Sequence, residues 1–181
     1  MVAPGPRELD LRELRSGTIG ILTSDYGGML AECGAVCLEQ NGHHSGSVTM
    51  KVAGTVRREY RLHFDAVTEQ MRRCYNDEQV TTEHGAYGVA ILVARDVTDL
   101  EVVNKSRKGT GFDYWLGTAA NGLFDDAARL EVSGIRNGSP SEVSQRVKQK
   151  VEQTKVSDRM GLPAVVVVVE FGAPHSRFIK R

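Results

Sequence analysis

Two acidic residues lie in short segments whose other residues are typical of buried β-strands. Asp113 is within Phe112–Leu116, and Glu131 is within Leu130–Val132. A carboxylate among bulky apolar neighbours is costly to bury unless it is paired or bound to a metal. If the two strands are neighbours, the carboxylates converge near one end of a sheet, where Mg²⁺ or Mn²⁺ could bind their oxygens. One acidic residue on the solvated face of each strand is the alternative interpretation.

Two helices are predicted on either side of these segments. Thr81 or Thr82 caps the first, which runs to about Arg95 and is apolar on most sides, as is typical of a helix that packs against a sheet. The second runs to about Thr154. It begins with a capping box and the preferred proline, at Ser139, Pro140 and Glu142.

Four strands complete the order α-β-β-β-α-β from residue 82 onward. They are Leu100–Asn104, Phe112–Leu116, Arg129–Ile135 and Ala164–Phe171. The last is continuously apolar, which is typical of a strand buried on both faces. A helix that joins two strands favours a right-handed crossover, so we expect a mixed, partly parallel sheet flanked by helices. Arg177–Lys180 is expected to add a last edge strand.

An N-terminal layer, residues 17–75, is predicted to extend this core within a single domain of residues 1–181. Its expected elements are a strand at Gly17–Leu22, a helix at Gly27–Gln40, a β-hairpin of Ser47–Val52 with Val56–Phe64, and a helix at Ala66–Tyr75 capped by Asp65. The first 16 residues predict a frayed lead-in or a short helix.

The element order over about residues 82–171 resembles the common core of the PD-(D/E)XK, or restriction endonuclease-like, nuclease superfamily. In that family an Asp near one strand and a Glu-x-Lys on the next bind divalent metal, and the lysine positions or activates the water. The resemblance implies that Asp113 and Glu131 bind the metal. It implies that Glu83, in the preceding helix, assists them.

Ser133 departs from the family pattern, because it stands where the lysine is expected and a hydroxyl cannot supply a cation. Within the resemblance, a lysine elsewhere in the chain could substitute for it: Lys148, Lys150 or Lys108. The alternative is a core that has lost catalysis and kept only binding.

Basic residues near Asp113 predict a surface for a phosphate backbone. The turn before Asp113 carries Lys105, Arg107 and Lys108 together with free backbone amides, a combination that binds phosphate. Arg146 and Lys150 on the second helix could extend the same surface. A solvated loop and an ordinary charged helix face are the alternatives.

Composition limits the class of protein. Lys plus Arg and Asp plus Glu number 23 each, so the net charge of zero argues against a strongly basic coat for non-specific nucleic-acid binding. No stretch approaches the roughly 20 apolar residues of a membrane span, and the N-terminus lacks the apolar region of a secretory signal. Three cysteines in no disulfide-like pattern favour a reduced, cytoplasmic protein.

A zinc site at Cys33, Cys37 and His43 is the weaker interpretation of that segment. Both cysteines fall in the apolar stripe of a predicted helix, where small buried thiols are common. The spacing also fits no standard zinc ribbon. We expect the thiols to be buried and metal-free, and His43 and His44 to line a turn.

Two functions follow from the sequence. The first is a Mg²⁺- or Mn²⁺-dependent phosphodiesterase that acts on nucleic acid. The alternative is a non-catalytic binding or regulatory subunit that uses the same sheet as a platform for nucleic acid, a protein partner or a second copy of the chain. Residues 17–64 would then form the partner surface.

Overall fold

The computed structural model describes the backbone of residues 5–120 and 123–181, and the side chains outside residues 119–126. The strands in this part of the chain are β1 (Arg7–Asp10), β2 (Gly46–Gly54), β3 (Arg58–Phe64), β4 (Glu101–Lys105), β5 (Tyr114–Ala120), β6 (Leu123–Ile135), β7 (Ala164–Glu170) and β8 (His175–Lys180). The α-helices are α1 (Ser24–Gln40), α2 (Glu69–Cys74), α3 (Glu78–Thr98) and α4 (Pro140–Thr154). Two 3-10 helices cover Leu11–Ser16 and Lys155–Met160.

All of these strands belong to one mixed sheet, in the order β1-β3-β2-β8-β7-β6-β5-β4. β4, β5 and β6 are antiparallel neighbours, whereas β6 and β7 run parallel on either side of the α4 connection. The hairpin of β2 and β3 continues the sheet through a parallel pairing of β2 with β8. The predicted mixed α/β architecture is therefore confirmed, and the order α-β-β-β-α-β is present from α3 to β7.

Two layers of helix cover the sheet. On one face α1 and α3 pack on a large core that includes Val165, Val167 and Val169 of β7. On the other face Val143 of α4 packs on Val166 and Val168. Every residue of β7 is buried, so the prediction of a strand buried on both faces is confirmed.

The helix α4 begins where the sequence predicts. The Ser139 side chain accepts a hydrogen bond from the Glu142 amide at 3.3 Å, and the Glu142 carboxylate accepts one from the Ser139 amide at 2.7 Å. This capping box, with Pro140 in the first turn, satisfies amides that no intrahelical carbonyl can reach.

The predicted start of α3 is wrong by about one turn. Asp77 is the N-cap, and its side chain accepts a hydrogen bond from the Val80 amide at 2.9 Å. Thr81 and Thr82 lie inside the helix, buried, and their hydroxyls donate to backbone carbonyls. Similarly, Thr68 rather than Asp65 caps α2. Several residues in each segment suit an N-cap, and tertiary packing selects among them.

The predicted strand at Gly17–Leu22 is also wrong. The segment is a turn that buries Ile19 and Leu22, with positive φ angles of 69° at Gly17 and 49° at Gly20. A Cβ on Gly20 would lie 2.0 Å from the Val102 carbonyl oxygen, so the turn packs tightly on β4.

The prediction that the last strand lies at the sheet edge is wrong as well. β8 lies between β7 and β2, and its Ser176 and Phe178 are buried. Its second partner is more than a hundred residues away in sequence, which no local pattern reveals. The edges are β1 and β4. No helix in the described ranges is both long enough and apolar enough to cross a membrane.

Candidate active site

The pairing of β5 with β6 brings Asp113 and Glu131 together. Asp113 lies one residue before β5 rather than inside it, and its amide donates to the Leu130 carbonyl at 2.8 Å. Its carboxylate oxygen Oδ2 accepts a hydrogen bond from the Val132 amide at 2.8 Å. Glu131 lies in β6 opposite Val166 of β7 and is 1% exposed. Of the two predicted metal ligands, Glu131 thus lies in β6 and Asp113 immediately before the neighbouring strand β5, with their carboxylates close enough to interact directly.

Burial and mutual repulsion make this carboxylate pair electrostatically expensive. Burial, followed by the charge of Asp113, raises the pKa of Glu131 from 4.5 to about 7. Burial also raises the pKa of Asp113, although the Val132 amide and the charge of Lys150 oppose that rise. The Glu131 oxygen Oε2 is buried and has no hydrogen-bond partner. A proton shared by the two carboxylates, or a cation bound between them, would relieve the repulsion and give this oxygen a partner.

The helix α4 directs three polar side chains toward β6. Lys150 Nζ lies 2.6 Å from Glu131 Oε1, and Gln153 Nε2 donates to the same oxygen at 2.9 Å. Arg146 donates to the Ser133 hydroxyl at 2.8 Å. Residues 146, 150 and 153 are spaced by four and three positions, so they share one side of the helix. Lys150 is therefore the lysine that lies beside the acidic pair.

The helix α3 contributes a tyrosine and a glutamate from the opposite side. Tyr87 Oη donates to Glu83 Oε1 at 2.7 Å and lies 3.2 Å from Asp113 Oδ1. Burial and the neighbouring carboxylates raise the Tyr87 pKa far above its ordinary value, so the hydroxyl keeps its proton and remains a donor. Glu83 is linked to Asp113 through this hydroxyl.

These groups line a cleft of about 450 Å³ between α3 and α4. The β5–β6 pair contributes the acids, α3 contributes Glu83 and Tyr87, and α4 contributes Arg146 and Lys150. The volume is within the range of roughly 300–1,000 Å³ that small-molecule sites occupy. The cleft therefore combines two desolvated carboxylates, two cationic side chains and a volume typical of small-molecule sites.

The other predicted cations lie elsewhere. Lys148 is exposed on a different side of α4 and does not line the cleft. Arg107 and Lys108 are exposed in the turn between β4 and β5, and neither lines the cleft. Lys150, expected either to substitute for the family's lysine or to extend the phosphate surface, pairs with Glu131 and lines the cleft. Lys105 lies over a group of tyrosine rings beside the cleft.

A divalent cation would fit the two carboxylates but not the full predicted ligand set. No three His, Cys, Asp or Glu side chains of residues 5–118 and 127–181 gather into a metal site. Glu83 accordingly contacts Tyr87 rather than joining Asp113 and Glu131 in a cluster. Mg²⁺ usually takes only one or two protein carboxylates, with water and phosphate as its other ligands. The unpartnered Glu131 Oε2 is the observation that favours such a ligand.

The cysteine-rich part of α1 lies within the core. Cys33 and Cys37 are buried, as predicted, and burial raises the pKa of each thiol to about 12. His43 Nε2 lies 3.1 Å from the Phe171 carbonyl and 3.0 Å from that of Gly172, where it ties the turn after α1 to the turn after β7. His44 is exposed.

Sequence reasoning missed Tyr87 and Gln153 as members of the site. The spacing of Tyr87 four residues after Glu83 was a usable signal, since such residues neighbour each other on a helix. The spacing of Gln153 three residues after Lys150 was another.

No model of a known protein family matches this chain, and no curated protein or solved structure shows significant similarity to it.

Proposed function

We propose that this protein is a metal-dependent phosphodiesterase that acts on nucleic acid, built on a restriction endonuclease-like core formed by α3, β4, β5, β6, α4 and β7. The observation that carries the proposal is the meeting of Asp113, Glu131 and Lys150 in one cleft. Lys150 Nζ lies 2.6 Å from Glu131, beside a buried carboxylate oxygen that has no partner.

The position of Lys150 accounts for the serine at position 133. In the superfamily pattern the lysine follows the glutamate by two residues on the same strand. Here Ser133 accepts a hydrogen bond from Arg146, and Lys150 brings the ammonium to Glu131 from α4. The ammonium group beside Glu131 is therefore supplied by α4, the helix that follows β6.

Each side chain has a role that its contacts support. Asp113 and Glu131 would hold Mg²⁺ or Mn²⁺, which lowers the pKa of bound water and neutralises charge on the phosphate. The Val132 amide and the Tyr87 hydroxyl fix the Asp113 carboxylate, and Gln153 fixes that of Glu131. Lys150 places its amino group beside the reacting phosphate and can hydrogen-bond a water molecule. Arg146 adds a second cation to the cleft wall.

The test is cleavage of end-labelled DNA and RNA, each single- and double-stranded, with Mg²⁺, with Mn²⁺ and with chelator. Asp113→Asn, Glu131→Gln and Lys150→Met should each lower the rate by at least about a hundredfold, which is typical of removing a group that stabilises transition-state charge. Lys148→Met is the matched control, because it removes an exposed lysine from the same helix. Equal rates for the two lysine variants would refute the role of Lys150.

A second candidate function is a non-catalytic nucleic-acid-binding platform. The observation that favours it is the Lys150–Glu131 ion pair, which already partly neutralises one of the two carboxylates. Binding of oligonucleotides without cleavage under any metal condition, together with no heat of Mg²⁺ or Mn²⁺ binding by calorimetry, would support this candidate over the first.

A further inference from the structure

Lys105 at the end of β4 is held in place by tyrosines from three other elements. Its Nζ lies 5.3 Å from the ring centre of Tyr26 on α1, and 5.9 Å from those of Tyr87 on α3 and Tyr114 on β5. Nζ also donates to the Tyr26 hydroxyl at 3.4 Å. Within the described residues, Lys105 makes every cation–π contact and takes part in no ion pair.

The tyrosines themselves form a rigid group. The Tyr26 and Tyr114 hydroxyls are 2.7 Å apart, and the Tyr87 and Tyr114 rings meet edge to face with their centres 5.4 Å apart. Tyr114 is fully buried, and Tyr87 is 6% exposed. An exposed lysine normally moves among many rotamers, and ordering it on binding costs side-chain entropy. Here the aromatic faces and one hydroxyl limit that motion and leave the ammonium accessible to solvent.

This group is directly connected to the carboxylate pair. Tyr87 presents its ring toward Lys105 and its hydroxyl toward Asp113, at 3.2 Å from Oδ1. Lys105 therefore lies one tyrosine side chain away from Asp113 and outside the group of residues that line the cleft. A cation at this position would face a neighbouring phosphate rather than the one being cleaved.

We propose that Lys105, held over Tyr26, Tyr87 and Tyr114, binds a phosphodiester phosphate that flanks the scissile one. The inference rests on the proposed function for the identity of the substrate, and it separates Lys105 from Arg107 and Lys108 in the same turn. A cation that faces an electron-rich ring on one side and water on the other stays charged and can accept an anion at little cost in side-chain entropy. Lys105 is a binding and positioning residue, because it contacts no reacting atom.

The experiment measures binding of a fluorescein-labelled oligo(dT) of about 12 nucleotides by anisotropy, in chelator and over a range of salt concentrations. Lys105→Met should weaken binding about tenfold at low salt. It should also reduce the slope of log K against log salt by about 0.7, the value expected for one phosphate contact. Lys108→Met, which removes an exposed lysine from the same turn, should change neither quantity. Lys105→Arg should restore both, since a guanidinium also stacks on aromatic rings.

The outcomes separate this inference from the proposed function. A Lys105-dependent salt slope in a protein that cleaves no substrate supports the phosphate contact of Lys105 and counts against the phosphodiesterase. Cleavage by the wild type, with equal KM and salt slope for the Lys105→Met and Lys108→Met variants, overturns the inference alone. Undetectable binding of the oligonucleotide by the wild type would also overturn it. Far-UV circular dichroism melts of each variant identify a loss of binding that is caused by unfolding, and Lys105→Arg then remains the deciding variant.

Discussion

Replacing Glu131 by glutamine should stabilise the fold by an amount that increases with pH. The folded protein raises the Glu131 pKa from 4.5 to about 7 through burial and the charge of Asp113. Between these values the folded state holds a proton that the unfolded state has released, so the free energy of unfolding falls as pH rises. At about 1.4 kcal/mol per pKa unit, the loss reaches about 3 kcal/mol above pH 7. Because Asp113 interacts with Glu131, this free energy belongs to the pair.

Glutamine keeps the shape of the side chain and removes its titration. The difference in free energy of unfolding between Glu131→Gln and the wild type should be small near pH 5. It should grow to about 3 kcal/mol near pH 8, equivalent to roughly 6–12 °C in unfolding midpoint for a chain of this size. Urea unfolding followed by circular dichroism, in chelator and at several pH values, measures the difference. Groups that titrate alike in both proteins cancel.

The control for the charge change is Glu59→Gln, which removes an exposed carboxylate from β3 and should leave the unfolding midpoint unchanged at each pH. A difference between Glu131→Gln and the wild type that stays flat from about pH 5 to pH 8 would refute the reasoning. It would mean that Lys150 and Gln153 fully compensate the burial of Glu131, and the site would then have no electrostatic reason to take up a cation.

Three further outcomes are expected. Mg²⁺ should raise the unfolding midpoint of the wild type in a concentration-dependent way, because a ligand that binds only the folded state stabilises it. Calorimetric scans should show no such change for Asp113→Asn. Arg129→Met should lower the free energy of unfolding by about 3 kcal/mol in urea titrations, since the buried guanidinium donates to the Leu162 and Thr154 carbonyls and the Leu162 carbonyl would lose its side-chain donor. Gly134→Ala should cost about 2 kcal/mol in the same assay, because the added Cβ would lie 2.5 Å from the Thr82 carbonyl oxygen of α3; no change in midpoint would show that α3 can move away from β6.

Local sequence signals predicted the elements that fold by local rules. The Ser139–Glu142 capping box located the start of α4 because each of its hydrogen bonds joins residues three apart. The valine run of β7 identified a central strand because no exposed strand would carry apolar residues at every position. The alternation of apolar and polar residues in Ser47–Val52 and Val56–Phe64 predicted the hairpin of β2 and β3, because a period of two is visible within each strand alone.

Pairings between distant segments were out of reach. β1 has only four residues, so neither its length nor its pattern distinguishes it from a loop. Its parallel partner, β3, lies about fifty residues later in the sequence. β8 alternates buried and partly buried residues, yet its partners β7 and β2 make it internal. The register of a sheet depends on contacts between strands that are distant in sequence, so the pattern of one segment does not reveal it.

The acidic pair was predictable, whereas its cation was not. Asp113 and Glu131 attract attention because burying a charge is costly wherever it occurs. The choice between Lys148 and Lys150 depends on which side of α4 faces Glu131. Both lysines flank the buried stripe of Val143, Val147 and Val151, one on each side, and the sequence of the helix is consistent with either orientation.

The contacts of α4 settle that orientation and give Ser133 a hydrogen-bond partner. Arg146, Lys150 and Gln153 follow one side of the helix and reach β6 in the same direction, so Ser133 and Glu131 both receive donors from α4. A lysine at position 133 would compete with Arg146 for the same space. Successive residues of a strand face opposite sides of the sheet, so Ser133 faces α4 whereas Gly134 faces α3. The donors that reach Ser133 and Glu131 and the close approach of α3 at Gly134 therefore lie on opposite faces of β6.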